Sequence, residues 1–476
     1  MPMGAWILAI GLLAWAAMGV WQRYKPLPEG VGEAYPVRGV ETVTFLADET
    51  WYDAEGERHR RRVIFDEVLD MIGQAQRLVV VDMFLFNDFA GQAKGHEFRP
   101  LSAQLTEALV RQRERYPELQ AVLITDPLNT LYGGLELDHL QRLHQAGVSV
   151  IMTDLTRLRA SNPLWSGLWH LGPRWLGNSA QAGWLPNLLG PGRVTLRSYL
   201  AMANFNANHR KTLVVDQGEG WAGLVTSANP HDASSLHGNV AMRFEGPAAL
   251  DLLDSERSVA AWSGVEVAGP LPPAVDDDVT GLRLQLLTEG AILDALLTAV
   301  ERTREGDRLD IAVFYLAHRD LIDALIAARR RGVEVRVLLD PNREAFGIAK
   351  GGIPNRPVAD ELAAAGIAVR WCATRGEQCH SKLLFRHPVD GGEAELILGS
   401  ANFTRRNLDD LNLETSVRLT GPPQHPSLGE AAAFFTRRWQ STPDHTTSHP
   451  YTKEDDVSAE TWWRYRLMEA TGLSTF

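Results

Sequence analysis

The hydrophobic pattern of the chain opens with an apolar run. Residues 1–22 carry no charged side chain, and Trp6–Trp21 (WILAIGLLAWAAMGVW) is almost wholly apolar. With its flanks the run reaches the ~20 residues a helix needs to cross a bilayer, and tryptophans stand where the two interfaces would lie. A cleaved signal peptide is the rival, with Ala-x-Ala-like spacing at Ala14–Ala16. Such a peptide carries basic residues ahead of its apolar run, and none stands there. The pattern predicts an uncleaved anchor. Arg23 and Lys25 follow it at once, so the positive-inside rule puts the body in the cytoplasm, on two basic residues.

Past a Pro/Gly-rich connector (Lys25–Pro36), strand-like and helix-like runs alternate. Val40–Leu46 reads as a strand. Arg62–Gln76 reads as a helix with Val63, Ile64, Val68, Leu69 and Ile72 on one face. There follow strand Arg77–Phe84, helix Leu101–Arg115, strand Ala121–Pro127, helix Leu135–Gly147 with its glycine stop, and strand Val148–Met152. The same order returns as helix Ala291–Arg304, strand Arg308–Leu316, helix Leu321–Arg331, strand Val333–Pro341, helix Val358–Ala365 and strand Ile367–Trp371. Leu-Ile-Thr-Asp-Pro at 123–127 matches Val-Leu-Leu-Asp-Pro at 337–341. This predicts an α/β fold of two duplicated halves, each a mostly parallel sheet flanked by helices. The expected divisions are a transmembrane anchor at 1–22, a first half at 36–266, a linker at 267–281, a second half at 282–440 and a polar tail at 441–476. The linker carries several prolines and three consecutive aspartates, Asp276–Asp278. In the tail, Ser441–Asp456 is polar and reads as loose, while Val457–Thr471 is a candidate short helix packing on the body.

The halves differ in spacing. Asp126 and His209 are 83 residues apart, Asp340 and His380 only 40, so the first half holds about 43 extra residues near Leu155–Tyr199. That insert contains Trp165, Trp169, Trp175 and Trp184 with Arg157, Arg159, Arg174 and Arg193, and no acid follows Asp154 until Asp216. Two readings stand: a segment resting on anionic lipid headgroups, or a long loop whose tryptophans pack on the body.

Composition narrows the field. Of 476 residues 45% are hydrophobic and 22% charged, ordinary for a globular protein with a large core. A net charge of -12 argues against broad nucleic-acid binding. Two cysteines, Cys372 and Cys379, exclude a disulfide framework and a structural zinc site, and leave room for one disulfide.

The candidate chemistry lies at Asn208–Asp216 (NHRKTLVVD). On a strand, His209 and Lys211 project together, while Leu213–Val215 anchor it. A nucleophile or proton carrier beside a fixed cation is a minimal phosphate site. A lone His-x-Lys is a weak signal. A second copy, His380-Ser-Lys382-Leu-Leu-Phe385, changes its weight. Each copy is trailed by a second match, Gly223–Asn229 with Ser227 and Asn229, and Gly399–Asn402 with Ser400 and Asn402. His209 to Asn229 is 20 residues and His380 to Asn402 is 22.

This arrangement resembles the phospholipase D superfamily, marked by two HxKxxxxD motifs each followed by Gly-Ser-x-Asn. The likeness covers about residues 40–440. Asn407–Glu414 (NLDDLNLE) looks like the cardiolipin synthase branch, where a Leu-Asn-x-Glu run stands at that place. The resemblance implies one active site between two halves, no metal and no cofactor, and His209, Lys211, Asp216, His380 and Lys382 as catalytic residues. It implies one histidine attacking phosphorus and the other protonating the leaving alcohol. Ser227, Asn229, Ser400, Asn402 and Glu414 would bind substrate. The lysines would hold the nonbridging oxygens and stabilise charge in the transition state.

Two positions depart from the pattern. His387 stands where the second motif has aspartate, with Asp390 and Glu395 nearby as substitutes. Glu414 aligns with Asn239, anchored on Val417-Arg418 and Met242-Arg243. A carboxylate beside His380 would raise its pKa, which makes His380 the expected general acid and His209 the expected nucleophile. Asp232 is an alternative partner for His209, and His231 and His237 are expected in supporting positions. The expected function is a metal-independent phospholipid phosphodiesterase or phosphatidyltransferase in the inner membrane. It would take phospholipid and membrane as partners, with no nucleic acid and no obligate protein partner. A nuclease of the same superfamily and an inactive lipid-binding scaffold are the alternatives.

Overall fold

The computed structural model describes all residues except 1–2, 90–96, 275–279, 346–347, 350, 453–456, 472–473 and 475. Asp276–Asp278 therefore lie outside the described residues. The apolar run forms helix α1 (Met3–Tyr24), in which only Gly19 and Gln22 are buried.

The first sheet is built from β2 (Val43–Tyr52), β3 (Arg58–Arg61), β4 (Leu78–Met83), β5 (Gln120–Thr125), β6 (Ser149–Met152), β7 (Lys211–Gln217), β8 (Gly220–Thr226) and β9 (Asn239–Glu245). Their order is β3-β2-β9-β8-β7-β4-β5-β6. The second sheet takes β1 (Ala34–Gly39), β10 (Arg283–Thr288), β11 (Arg308–Val313), β12 (Glu334–Leu339), β13 (Ala368–Cys372), β14 (Lys382–His387), β15 (Ala394–Gly399), β16 (Thr415–Gly421) and β17 (Ser448–Pro450). Their order is β1-β10-β16-β15-β14-β11-β12-β13-β17. Leaving out the edge strands β3, β1 and β17, the two sheets repeat one topology.

Each sheet is mixed, which corrects the expectation of a mostly parallel one. Only β4-β5-β6 and β11-β12-β13 run parallel. The strands bearing His-x-Lys run antiparallel to both neighbours. The cause is local. β7 and β8 are joined by Gly218 and Glu219 alone, and Gly218 takes φ 56°, which a two-residue hairpin favours.

Central strands are buried on both faces, as their unbroken apolar runs require. Val80 and Val214 face one core; Val79, Val81, Leu213 and Val215 face the other. The first core is shared, because Val122 and Val214 of one sheet and Leu383, Phe385 and Leu398 of the other belong to one cluster. The sheets thus pack face to face. The outer face of the first is covered by α2 (Ile64–Gln74), α3 (Leu101–Arg115) and α4 (Asp138–Gln145).

The halves also exchange elements. β1 pairs with β10 of the second sheet. The helix Pro426–Trp439 sets Phe434 against Phe45 of β2, ring centres 5.6 Å apart. The tail is more ordered than its polarity suggests. Ser448–Pro450 adds an edge strand to β13, and the helix Ala459–Thr471 buries Tyr465, whose hydroxyl donates to Ala317 O at 3.2 Å. The helix lies within the stretch read as a candidate helix, whereas the edge strand falls in Ser441–Asp456, read as loose, because backbone bonds hold it whatever its composition.

Candidate active site

Both His-x-Lys pairs lie at the same end of their sheets, where β7 and β14 begin. Each lysine starts its strand, and each histidine stands just before it. The two pairs meet across the interface of the halves through backbone bonds of the same kind. His209 N donates to Leu413 O at 2.9 Å, and His380 N donates to Gly238 O at 2.8 Å. The residue after each acceptor then reaches the histidine ring. Glu414 Oε1 lies 2.8 Å from His209 Nδ1, somewhat off the ideal hydrogen-bond line. Asn239 Oδ1 lies 3.1 Å from His380 Nδ1. Each histidine is therefore served by a side chain from the opposite half.

This corrects the sequence expectation. Glu414 was expected beside His380 of its own half and stands beside His209 instead, which removes the carboxylate as the ground for taking His380 as the general acid. Alignment of Glu414 with Asn239 was right, but partners are exchanged across the interface, and one-dimensional spacing cannot reveal that. Asp232 does not reach His209; it accepts from Ser102 N at 2.9 Å and from Ser102 Oγ at 2.7 Å.

Glu414 is fully buried and well held. It accepts from Ser400 Oγ and Asn407 Nδ2, and its own N–H donates to Glu289 Oε1 at 2.9 Å. Glu289 also accepts from Arg210 Nη2 at 2.9 Å. Arg210 is the middle residue of the first motif. It points away from His209 and Lys211, as strand alternation requires, and its buried guanidinium ties the first half to the residue that fixes Glu414. In the first half, Ser227 Oγ donates to Asn239 Oδ1 at 3.0 Å, the counterpart of Ser400 and Glu414. Asn229 Oδ1 accepts from Leu85 N at 3.3 Å, and Asn402 is buried with no partner on its Oδ1. Ser227 and Ser400 thus position the histidines' partners.

Both lysines are buried. Lys211 Nζ donates to His209 O at 2.5 Å, and Lys382 Nζ to His380 O at 2.7 Å. They lie over Phe84 and Phe314, 5.0 and 5.3 Å from the ring centres. Burial pushes Lys211 down to about 7, against the pull of Glu414, Asp82 and Asp126. Burial and then Lys211 push Lys382 well below the ordinary lysine range. Burial brings His209 down to about 4, opposed by Glu414. His380 falls well below its usual value through burial, then Lys382 and His237. His237 accepts from Gln378 N on its Nδ1 at 3.0 Å, a supporting place near His380, while His231 bonds Ser234 and Phe89 O.

Neither end of the longer motif reaches this site. Asp216 lies five strand residues beyond Lys211, roughly 17 Å away. It accepts from the N–H groups of Gln76, Arg77 and Leu78 and so ties β7 to the start of β4. Asp216, expected among the catalytic residues, stands here as a strand tether away from the histidines and lysines. His387 sits at the same far end, 2.9 Å from Asp310. There the tether runs the other way: Asp307, just ahead of β11, accepts from Val389 N at 2.9 Å. Neither expected substitute takes that part, since Glu395 pairs with Arg386 and Arg418, and Asp390 is exposed.

Among the groups that sequence reasoning missed here, four carried a visible signal. Asp126 and Asp340, the aspartates of the repeated Asp-Pro, accept from Asn208 N at 2.6 Å and Cys379 N at 2.7 Å. Each holds the residue before its histidine, and the repeat itself was the available signal. Burial raises Asp126 to about 7 and Asp340 to about 6. Phe84 and Phe314 end equivalent strands and were equally visible. Among the described residues, no group of three or more His, Cys, Asp or Glu side chains is placed to hold a metal ion.

The class of protein follows from this fold and paired site: the chain is phospholipase D-like. Residues 296–439 match the family described as "Cardiolipin synthase, PLD-like domain". Cardiolipin synthase A of Erwinia tasmaniensis is 28% identical over 229 residues, which is 44% of this chain and 44% of that protein, so the match spans less than half of the relative. The crystal structure of phosphatidylserine synthase from Haemophilus influenzae Rd KW20 superposes with TM-score 0.57 at 11% identity, covering 92% of this chain and 96% of that one, a likeness of fold. Residues 296–439 are thus similar to the cardiolipin synthase branch of phospholipase D-like proteins.

The two buried lysines lie close enough for Lys211 to push Lys382 down, so a bound anion would favour their charged forms. Sulfate, dianionic throughout the neutral range, should bind best below pH about 7, where Lys211 is charged. Above that pH its binding should weaken and be accompanied by proton uptake. Calorimetry in buffers of different ionisation enthalpy measures both, and an affinity flat with pH would contradict this charge assignment.

Proposed function

We propose that the chain is a membrane-anchored phospholipid phosphodiesterase that transfers or hydrolyses a phosphatidyl group, in the manner of a cardiolipin synthase. The observation that carries this reading is the convergence of two His-Lys pairs across one interface, each histidine backed by a polar side chain of the opposite half. The likeness to the family described as a cardiolipin synthase, PLD-like domain supports the substrate class.

In this reading His209 Nε2 attacks phosphorus while Nδ1–H faces Glu414. The bond from phosphorus to the leaving alcohol breaks, and His380 gives its Nε2 proton to that oxygen. Lys211 and Lys382 hold the nonbridging oxygens. The resulting phosphohistidine carries positive charge, which the Glu414 carboxylate offsets. His380 has neutral Asn239 behind it, so its imidazolium gives up a proton more readily than one backed by a carboxylate. The bound phosphodiester supplies the negative charge that keeps His380 protonated until then. In the second step water or an alcohol loses its proton to His380 and attacks phosphorus, releasing His209. Water gives hydrolysis; an alcohol gives transfer.

A retained anchor is supported by how α1 meets the body. Trp15 Nε1 donates to Leu164 O at 2.7 Å, Ala160 N to Gln22 O at 2.8 Å, and Arg159 Nε to Lys25 O at 3.0 Å. A leader cut after Ala16 would take away Trp15 and leave Leu164 O without that partner, while the contacts of Gln22 and Lys25 would stay. The side of the membrane is a separate matter. Cys372 and Cys379 form a disulfide, and such bonds persist in oxidising compartments. We weigh that above two basic residues and take the body to face the oxidising side, against the cytoplasmic expectation.

Purified protein incubated with phosphatidylglycerol should form cardiolipin, or phosphatidic acid where hydrolysis prevails, and His209→Ala and His380→Ala should each reduce turnover by a factor of at least about 10³. No turnover of phosphatidylglycerol or phosphatidylcholine, together with cutting of DNA, would contradict the lipid reading. For orientation, whole cells quenched in acid and treated with a maleimide polymer should show no label on this chain until reductant is added. Labelling without reductant would return the body to the cytoplasm.

A further inference from the structure

The insert between β6 and β7 has an exposed surface of a kind that water-soluble domains avoid. Outside α1, eight of the thirteen exposed large apolar side chains among the described residues fall in residues 164–196. Helix Pro163–Leu171 is turned inside out: Leu164, Leu168 and Leu171 face outward at helical spacing, while Ser166, Gly167 and Trp169 are buried. Trp175 and Leu176 follow, 72% and 62% exposed, and Trp184 is 59% exposed. An isolated exposed leucine is ordinary; a cluster of this kind marks a contact surface.

The buried side of this helix says where the surface lies. It packs on α1 at a glycine crossing. A Cβ at Gly167 would stand 2.8 Å from Trp15 O and 2.9 Å from Gly19 N, so only glycine allows the approach. The outward leucines are thus fixed beside the end of a helix apolar enough to span a bilayer. Charge agrees. Arg174 lies 4.3 Å over Trp175, and Arg197 lies 4.0 Å over Trp169. Arg193 is exposed, and the insert has no acid of its own. Arginine beside tryptophan, with leucine further out, is the order of groups met on entering an anionic interface. The insert also leaves the sheet where β6 ends and returns where β7 begins, which is the end that carries His209.

We propose that residues 163–197 form a second membrane contact, lying in the interface of a bilayer that carries anionic headgroups and holding the His209 end of the first sheet against that surface. The leucines and tryptophans enter the acyl boundary, and the arginines meet the phosphates. This rests on the reading of α1 as a retained anchor, and the test separates the two. Full-length protein is reconstituted into vesicles of phosphatidylglycerol and phosphatidylcholine whose acyl chains are brominated near the headgroup, and into the same vesicles without bromine. The fluorescence contributed by Trp175 and Trp184 is taken as wild type minus W175F/W184F, and that of Trp221, on the opposite end of the first sheet, as wild type minus W221F. The Trp175 and Trp184 contribution should be at least halved by bromine, and that of Trp221 unchanged. Quenching should weaken in vesicles of phosphatidylcholine alone. Protein that floats with vesicles but keeps unquenched Trp175 and Trp184 overturns the second contact and leaves the anchor standing. Protein that does not float overturns both. Equal quenching in the two lipid mixtures overturns the part assigned to the arginines.

Discussion

The site depends on confining two lysines and two histidines, all buried, with the Glu414 carboxylate against one histidine ring and Asp82, Asp126 and Asp340 near enough to act on the lysines. Four such groups repel one another when charged and resist burial, so their arrangement survives only if the surrounding structure fixes every one. The fixing is done across the interface. Leu413 and Gly238 carbonyls hold the histidine backbones, and Glu414 and Asn239 hold the rings. Arg210 and Glu289 then tie the first motif's strand to the backbone of Glu414. Neither half contains a complete site. Separating them would strip each histidine of its partner and break the Arg210–Glu289 ion pair, leaving Arg210 with Glu256 of its own half, 3.7 Å away.

The same exchange explains why the chain can be symmetric in fold and unequal in chemistry. Both sheets repeat one strand order, and Ser227 and Ser400, Asp126 and Asp340, Phe84 and Phe314 keep equivalent places. The difference that reaches Nδ1 of the two histidine rings lies at one pair of positions. A carboxylate stands behind His209 and an amide behind His380. A carboxylate suits a ring that becomes positively charged by bonding to phosphorus. An amide suits a ring that must release its proton. The loss of the second motif's aspartate, by contrast, is remote from this chemistry, because both strand ends there serve only to tether neighbouring strands.

Much of this was legible in the sequence, for definite reasons. The α/β alternation, most strand positions and the two His-x-Lys pairs follow from local periodicity and short spacing, which act within a few residues. The resemblance to the phospholipase D superfamily supplied the single shared site. Sheet direction was misjudged because the Gly218-Glu219 hairpin, two residues long, was not weighed against the helix-strand alternation around it. The partner of Glu414 was misjudged because it is set by a parallel bridge between Asn208 and Leu413, some two hundred residues apart. Glu289 gave no signal at all. It is a buried carboxylate held at φ 41° ahead of a helix, and only the assembled interface gives it a purpose. In the tail, the helix Ala459–Thr471 lies where a candidate helix was read, whereas the Ser448–Pro450 edge strand, held by backbone bonds, gave no such signal.

The central claim is that Glu414 makes His209, and not His380, the residue that bonds to phosphorus. The direct measurement is a peptide map of the protein trapped during turnover of phosphatidylglycerol in the His380→Ala background, quenched in alkali to preserve phosphohistidine. The account predicts a phosphatidyl or phosphoryl adduct on the peptide containing His209, lost when Glu414→Gln is added. An adduct on the peptide containing His380 in the His209→Ala protein, with none on His209 in its counterpart, would contradict it.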